Sequence, residues 1–212
     1  MTEVLIFDWD GTLSDSVARI VHCLQLAAAE VGLAVPSEAE GREIIGLGLG
    51  EALAQLFPGA RRGQLDALKA SYSRHYLVLD QSPAPFFAGV METLHQLRDQ
   101  GYRLAVATGK SRRGLDRVLD GHGLGRFFDA TRCADETLSK PHPLMLQELL
   151  AHFAVDPHRA CMVGDTEFDM AMAVSAGVPR IGVAYGAHCA SRLVPYGLRG
   201  CLDRFGQIRE IL

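Results

Sequence analysis

The sequence predicts an α/β fold: a Rossmann-like core with a parallel sheet, interrupted after its first strand by an all-helical cap. Three observations favour this fold. Residues 3–7 have the pattern of a short buried strand, residues 15–83 show almost only helical periodicity, and beyond residue 89 strand-like and helix-like segments alternate. Alternation of this kind indicates parallel strands with helices on both faces of the sheet. We therefore expect residues 1–14 and 84–212 to form the catalytic core and residues 15–83 a helical cap domain.

Four helices are expected in the cap. Apolar residues recur at helical spacing from 17 to 31, and again from 65 to 79. Ser37 and Glu40 have the spacing of a capping box, which predicts a helix start. A third helix is expected near 51–57. The stretch Gly46–Gly50 between the second and third helices is interpreted as a helix–helix connector.

The remaining elements alternate along the core. Helical periodicity and strand-like runs predict the following order: helix 90–97, strand 103–109, helix 115–122, helix 143–153, strand 160–165, helix 167–176, strand 180–184 and a closing helix near the C-terminus. An insertion directly after the first strand lies at the carboxyl end of that strand, where open α/β sheets bind ligands.

Composition excludes several classes of function. The chain has 212 residues, 48% hydrophobic and 22% charged, with a net charge of −4 and a pI near 6.0. Its lysines and arginines are too dispersed to form a nucleic-acid surface or an anionic-membrane surface. No run approaches the ~18 apolar residues of a membrane span. We expect no nucleic-acid or membrane partner, and a protein that is a monomer or a homodimer.

The cysteines indicate a reducing compartment. Their number is odd, their spacing is wide, and they form no CxxC pair: Cys23, Cys133, Cys161, Cys189 and Cys201. This pattern predicts reduced, buried thiols in a cytoplasmic protein rather than a disulfide framework.

Residues with reactive or ligating side chains stand at the predicted strand ends and in one loop. They are Asp8 and Asp10, then Thr108, Gly109 and Lys110, then Lys140, then Asp165 and Asp169. Because the carboxyl ends of parallel strands share one edge of the sheet, these groups can converge.

A divalent cation accounts for the four carboxylates. Two carboxylates ~4 Å apart repel by roughly 4 kcal/mol at an effective dielectric of 20. Mg²⁺ binds oxygen ligands and is often shared between carboxylates and a substrate phosphate. Asp8, Asp10, Asp165 and Asp169 are therefore the predicted metal site.

The remaining groups favour phosphoryl chemistry. Asp8 can attack phosphorus as a nucleophile, and Asp10 can exchange protons with the leaving oxygen and with water. Lys140 and the Thr108 hydroxyl suit phosphoryl oxygens, and donors around Gly109 and Lys110 complete a predicted substrate-binding set.

Four motifs carry a resemblance to a known family. "DWDGTL", "VATGK", "SKP" and "GDTEFD", in this order and spacing, resemble the haloacid dehalogenase-like superfamily, including its members with a helical cap. The resemblance implies Asp8 as nucleophile and Asp10 as acid/base. It also implies Mg²⁺ held by Asp8, by the backbone carbonyl of Asp10 and by Asp165, with Asp169 in support. Thr108 and Lys140 would bind the phosphoryl group.

The second aspartate favours phosphate esters. Haloacid dehalogenases lack an aspartate at the position of Asp10, and the whole chain most resembles phosphoglycolate phosphatases. We expect a Mg²⁺-dependent phosphatase acting on a small phosphorylated metabolite. Sugar-phosphate mutases of the superfamily carry an arginine in the cap loop matching Gly46–Gly50, which this chain lacks. A second phosphate would have to bind Arg42, Arg61, Arg62 or Arg74.

Three alternatives remain open at this point. The chain could be a phosphosugar mutase or a pyrophosphatase of the same superfamily, or a phospho-accepting signalling domain. Receiver domains of signalling proteins place the phospho-accepting aspartate after a later strand, whereas Asp8 follows the first strand here.

Overall fold

The computed structural model describes residues 2–79 and 82–212. Residue 1 of the expected core and residues 80 and 81 of the expected cap lie outside the described residues. The strands are β1 (Val4–Phe7), β2 (Arg103–Thr108), β3 (Ala130–Cys133), β4 (Ala160–Gly164), β5 (Arg180–Val183) and β6 (Cys201–Leu202). The helices are α1 (Val17–Val31), α2 (Glu38–Glu43), α3 (Leu49–Leu56), α4 (Arg62–Leu79), α5 (Val90–Asp99), α6 (Arg112–Gly121), α7 (Leu144–Phe153), α8 (Glu167–Ser175), α9 (Ala190–Leu193) and α10 (Ile208–Ile211).

The six strands form one parallel sheet in the order β3-β2-β1-β4-β5-β6. This confirms the predicted fold class. Strand β1 lies at the centre, where the strand order reverses. Phe7 pairs with Val106 on one side and Val163 on the other, so the chain leaves β1 level with the ends of β2 and β4. The crevice at such a switch point is where open α/β sheets bind ligands.

Helices cover both faces of the sheet, as predicted. Because strand side chains alternate between faces, Leu5 and Phe7 pack in one cluster with α5, α6 and the C-terminal segment. Val4 and Ile6 pack in a second cluster with α7 and α8. The two apolar clusters fix β1 in register from both sides.

Helices α1 to α4, which we call the helical insert, have an apolar cluster of their own. The capping box at the start of α2 is confirmed: the Glu40 N–H donates to Ser37 Oγ at 3.2 Å, and the Ser37 N–H donates to the Glu40 carboxylate at 2.8 Å. Helices α1 and α4 are also joined by Glu30, which accepts a hydrogen bond from Ser71 Oγ at 2.6 Å.

Three short elements were not anticipated from the sequence: β3, β6 and α9. Strand β3 reads Ala-Thr-Arg-Cys and lies at a sheet edge with three half-buried residues, so it shows neither an apolar run nor a strict alternation. Strand β6 is two residues long and α9 four. Elements this short are held by their neighbours rather than by a local pattern.

The expectation of buried thiols is wrong for two of the five cysteines. Cys189 and Cys201 are exposed, whereas the other three are buried, and all five are free thiols. Cys189 stands in the loop before α9, and Cys201 lies on the edge strand β6, so neither faces an apolar layer. Over residues 2–79 and 82–212, no helix combines the length and the apolar character needed to cross a bilayer.

Candidate active site

The predicted residues meet at the centre of the sheet edge. Asp8 follows β1, Thr108 ends β2, and Asp165 follows β4. Lys140 comes from the connection between β3 and α7, and Asp169 lies in the first turn of α8. All five side chains are buried, so their charges must be balanced within the protein.

Lys140 bridges two of the carboxylates. Its Nζ donates to Asp8 Oδ1 and to Asp169 Oδ1, both at 2.6 Å. Burial lowers the pKa of Lys140, but the attraction of Asp169 and Asp8 outweighs it and holds the pKa above its usual value. Lys140 therefore carries a full positive charge in the site at neutral pH.

Asp165 is held by the loops on either side of it. Thr12 Oγ1 donates to Asp165 Oδ1 at 2.8 Å, and the Ala187 N–H donates to Oδ2 at 2.7 Å. Burial, with repulsion from Asp169, raises the pKa of Asp165 to about 7 despite these two donors. Gly11 has φ +82°, and a Cβ there would lie 2.2 Å from Asp165 Oδ2, so only glycine allows the chain after Asp10 to pass this carboxylate.

Asp169 is both a helix cap and part of the charged cluster. Its Oδ2 accepts hydrogen bonds from the Thr166 N–H at 3.1 Å and from Thr166 Oγ1 at 2.7 Å, while Oδ1 accepts from Lys140. The start of α8 therefore fixes the orientation of this carboxylate.

The cluster fits a divalent cation. Asp8, Asp165 and Asp169 each offer a carboxylate oxygen, and these atoms all lie within 4.8 Å of one another. Among the described residues, the buried Asp8 Oδ2 has no hydrogen-bond partner. Burial, together with repulsion from Asp169 and Asp165, raises the pKa of Asp8 well above its ordinary value, although Lys140 opposes the shift. One ammonium does not neutralise three carboxylates, and a hard dication bound by oxygens would supply the missing charge.

The Asp10 carboxylate is not part of this acidic cluster. Its Oδ1 accepts from Ser16 Oγ at 2.6 Å and lies 2.9 Å from Lys110 Nζ. The predicted metal role of Asp10 therefore rests on its backbone carbonyl, as the family resemblance implies.

Lys110 connects the core to the helical insert. Besides Asp10, its Nζ donates to the Tyr76 hydroxyl on α4 at 3.2 Å. Burial lowers the pKa of Lys110, but Asp10 and Tyr76 together raise it above its usual value. The structure thus places this predicted substrate-binding residue between the predicted acid/base and the insert.

Thr108 and Gly109 lie under the insert. Thr108 is fully buried, and its Oγ1 accepts a hydrogen bond from the Lys110 N–H at 3.2 Å. A Cβ on Gly109 would lie 2.5 Å from the Leu47 carbonyl oxygen and 2.6 Å from that of Gly46. The glycine therefore permits backbone contact between core and insert at the edge of the site.

The stretch Gly46–Gly50 has a role beyond the connector predicted from the sequence. It does join α2 to α3, but it also lines the cleft above the acidic cluster. The Gly48 N–H donates to Ser139 Oγ, next to Lys140, at 2.7 Å. Arg42 of α2 makes a further contact with the core: it donates to the carbonyl oxygen of Gly186, in the loop after β5, at 2.7 Å.

A cleft of about 620 Å³ lies between the core and the insert. Asp8, Asp10, Gly109 and Lys110 line its core side, which we call the floor. Its roof is formed by α1, the α2–α3 connection, α3 and α4. Helix α6 contributes Arg113 and Arg117 to the wall at exposed positions.

Sequence reasoning missed three residues of this site: Thr12, Ser16 and Tyr76. Thr12 belongs to "DWDGTL", and its hydroxyl beside two aspartates was a usable signal. Ser16 lies six residues after Asp10, at the start of α1, and its orientation depends on the turn between them. Tyr76 falls on an ordinary apolar helical spacing, which gives no sign that its hydroxyl reaches the core.

Comparison with known proteins identifies the family. Residues 5–183 match the model of the haloacid dehalogenase-like hydrolases. The chain belongs to this family. A protein of Dickeya dadantii named "Probable phosphatase IndB" is 34% identical over 98% of this chain and 92% of its own length.

A second relative and a solved structure of the same family are similar to the chain over almost its whole length. A phosphoglycolate phosphatase of Rhodospirillum rubrum is 32% identical over 100% of this chain and 91% of its own length. Among solved structures, a haloacid dehalogenase-like hydrolase from Bacteroides fragilis superposes with a TM-score of 0.91 at 26% identity, over 98% of this chain and 100% of that one. The likeness therefore includes both the core and the insert.

Proposed function

We propose that this protein is a Mg²⁺-dependent phosphatase that hydrolyses a small phosphomonoester through an aspartyl-phosphate on Asp8. One observation carries the proposal: a buried cluster of Asp8, Asp165, Asp169 and Lys140, of which Asp8 lines the cleft and has its Oδ2 unpartnered among the described residues. The names of the two curated relatives support phosphate-ester chemistry.

Asp8, Asp165 and Asp169 would hold the metal ion, with the Asp10 carbonyl. When bound, Mg²⁺ would neutralise the excess negative charge and withdraw electron density from a phosphoryl oxygen. Lys140 holds Asp8 Oδ1, which leaves Oδ2 to face the substrate. The residues present thus fit the ion that the family resemblance implies.

The first step forms the covalent intermediate. Asp8 Oδ2 attacks phosphorus, the bond from phosphorus to the ester oxygen breaks, and that oxygen leaves with the bonding pair. Asp10 gives its proton to the leaving oxygen, which departs as an alcohol. The Ser16 and Lys110 contacts on Asp10 Oδ1 fix the orientation of this carboxyl.

The second step regenerates the enzyme. Asp10, now ionised, takes a proton from a water molecule as that water attacks phosphorus. The bond from phosphorus to Asp8 Oδ2 breaks, inorganic phosphate forms, and both aspartates return to their starting states.

We infer that residues 15–83 act as a cap that excludes water and selects the substrate. The described part of this segment forms the roof of the cleft and contacts the floor through Tyr76 and Gly46–Gly48. A mutase function has less support, because Arg42 and Arg74 are bound elsewhere, to the Gly186 carbonyl and to Glu30.

The test is phosphate release from p-nitrophenyl phosphate. We expect turnover with Mg²⁺, none in EDTA, and recovery when Mg²⁺ is restored. Asp165→Asn should abolish the activity or raise the Mg²⁺ requirement steeply, because it removes a charged ligand. Asp203→Asn, at an exposed position near the C-terminus, is the matched control and should retain full activity. Full turnover in EDTA would contradict the metal assignment, and no turnover under any condition would contradict the phosphatase.

A further inference from the structure

The roof of the cleft is far more apolar than a small anionic substrate requires. Ile20 and Leu24 of α1, Leu49 of α3, and Tyr72 and Tyr76 of α4 line it. The volume of about 620 Å³ falls within the range of roughly 300–1,000 Å³ typical of pockets that enclose a drug-sized ligand. Ile20 and Leu24 are buried in the insert's own apolar cluster, and Leu49, Tyr72 and Tyr76 are half-buried beside it. A two-carbon acid phosphate would leave most of the space next to these half-buried side chains unfilled.

This volume belongs to a cleft whose core and insert are already in contact. Tyr76 on the roof accepts a hydrogen bond from Lys110 on the floor, and Gly48 donates to Ser139. Arg42 of the insert makes a third contact with the core by donating to the Gly186 carbonyl oxygen. Space for a large organic group therefore remains when the insert rests on the core.

The charges of the cleft do not provide a buried site for a second anion. Lys110 lines the floor but is already bound to Asp10. The other cations among the described lining residues, Lys69, Arg113 and Arg117, are exposed. A substrate carboxylate placed under the roof would meet apolar side chains, which disfavour a buried charge unless it is paired.

Resting on the proposed phosphatase function, we propose that the preferred substrate is a phosphomonoester whose organic group is a bulky, uncharged ring. The ring lies under the roof, against Tyr72 and Tyr76, while the phosphoryl group reaches Asp8. The two tyrosine rings are 5.8 Å apart at an interplanar angle of 36°, and aromatic faces and edges favour ring-shaped partners.

Four alkyl phosphates with primary leaving oxygens test the assignment: benzyl, cyclohexylmethyl and ethyl phosphate, and 2-phosphoglycolate. The readout is kcat/KM from released phosphate with Mg²⁺. We expect both ring esters to exceed ethyl phosphate by at least about tenfold, the discrimination that an apolar pocket gives for added apolar groups. 2-Phosphoglycolate should not exceed ethyl phosphate. Benzyl above cyclohexylmethyl phosphate would assign an aromatic ring in particular.

A matched pair of variants locates the selectivity. Ser73 is exposed on α4 and lines the cleft, so Ser73→Trp fills the space under the roof without disturbing a buried position. It should lower kcat/KM for the ring esters far more than for ethyl phosphate. Ala70→Trp, exposed on the same helix outside the cleft, should leave all four values unchanged.

The outcomes separate this inference from the function on which it rests. Preference for 2-phosphoglycolate over both ring esters, or an equal loss on all esters in Ser73→Trp, would overturn the ring assignment and leave the phosphatase intact. Turnover of p-nitrophenyl phosphate with release of phosphate from none of the four esters would overturn the ring assignment alone, whereas no release from any of the five compounds would contradict the phosphatase itself.

Discussion

The floor and the roof of the cleft differ in the chemistry of their side chains. The floor and the buried acidic cluster that includes Asp8 carry charged side chains held by specific partners, such as Lys140 on Asp8 or Thr12 on Asp165. The roof consists mainly of apolar and aromatic helix side chains, and Tyr76 joins it to Lys110 on the floor through a hydrogen bond. The floor has the groups that can act on phosphorus, and the roof has the surface that can recognise the rest of a substrate.

This difference predicts two kinds of mutational effect. A change of the nucleophile Asp8 in the floor should lower the turnover of every ester by the same large factor, because the phosphoryl group is common to all of them, whereas loss of the proton donor Asp10 should depend on the leaving group. A change in the roof should alter the ranking of esters. Contacts that join floor and roof should have intermediate effects.

Asp8→Asn gives the largest expected loss. The amide is a poor nucleophile, and it also removes the charge that Lys140 balances. We expect kcat/KM to fall by more than about 10⁴-fold on every ester, beyond what loss of acid–base catalysis alone costs. Phosphate release from p-nitrophenyl phosphate and ethyl phosphate measures it.

The matched control for Asp8→Asn is Asp15→Asn, an exposed aspartate on the same stretch of chain. It should retain the activity of the unmodified protein. A fall below tenfold in Asp8→Asn, or a fall that differs widely between the two esters, would contradict the assignment of the nucleophile.

Tyr76→Phe tests the hydrogen bond that connects the floor to the roof. The variant removes the hydroxyl that lies 3.2 Å from Lys110 Nζ. It keeps the aromatic ring, whose centroid is 5.1 Å from the same ammonium. Loss of one hydrogen bond costs about 1 kcal/mol, so kcat/KM should fall roughly fivefold. Tyr102→Phe, at the opposite end of β2, should have no effect. A loss as large as that of Asp8→Asn would place Tyr76 in the chemistry rather than in the closure of the cleft.

The residues at the strand ends of the core are the part of the site that the sequence could predict. In a parallel sheet the carboxyl ends of neighbouring strands share an edge, so Asp8, Thr108 and Asp165 had to converge once the strands were identified. Lys140 is included in the predicted site as the ammonium of a loop that carries no strand signal of its own, and the family motifs support its role. The structure brings Asp8, Asp165 and Lys140 into one buried group and places the buried Thr108 at the end of the neighbouring strand β2.

The roof could not be predicted in the same way. Apolar residues at helical spacing, such as Leu24 and Tyr72, look alike whether they face a protein core or a ligand cleft. Only the packing of α1 and α4 decides which side chains border the cleft. The link from Lys110 to Asp10 was likewise out of reach, because no local pattern shows where a lysine side chain folds back.

The smallest expected effect is a pH dependence of stability in the metal-free protein. The pKa of Asp165 rises from 3.8 to about 7 on folding, so between these values the folded protein keeps a proton that the unfolded chain has lost. Stability in EDTA should therefore decrease as pH rises from about 4 to 7, by at most about 1.4 kcal/mol per pH unit for this group.

Urea unfolding in EDTA at pH 5, 6 and 7 gives the free energy of unfolding of the unmodified protein and of Asp165→Asn. The two pH dependences are then compared. The buried His188, whose pKa is lowered by burial, contributes an opposite slope, but it is present in both proteins. We expect stability to fall less steeply with pH in the variant. Identical slopes in the two proteins would show that Asp165 is already ionised in the metal-free site.

The most direct test of the account is detection of phosphate on Asp8. Asp10→Asn should slow both steps by ~10²–10⁴ through loss of proton transfer, except that p-nitrophenolate leaves readily without a proton. Rapid mixing of this variant with p-nitrophenyl phosphate and Mg²⁺ should release a burst of at most one equivalent of nitrophenol and then stall. Mass spectrometry after acid quench should then find one phosphoryl group on Asp8. Steady turnover with no burst and no phosphoprotein would contradict the covalent mechanism.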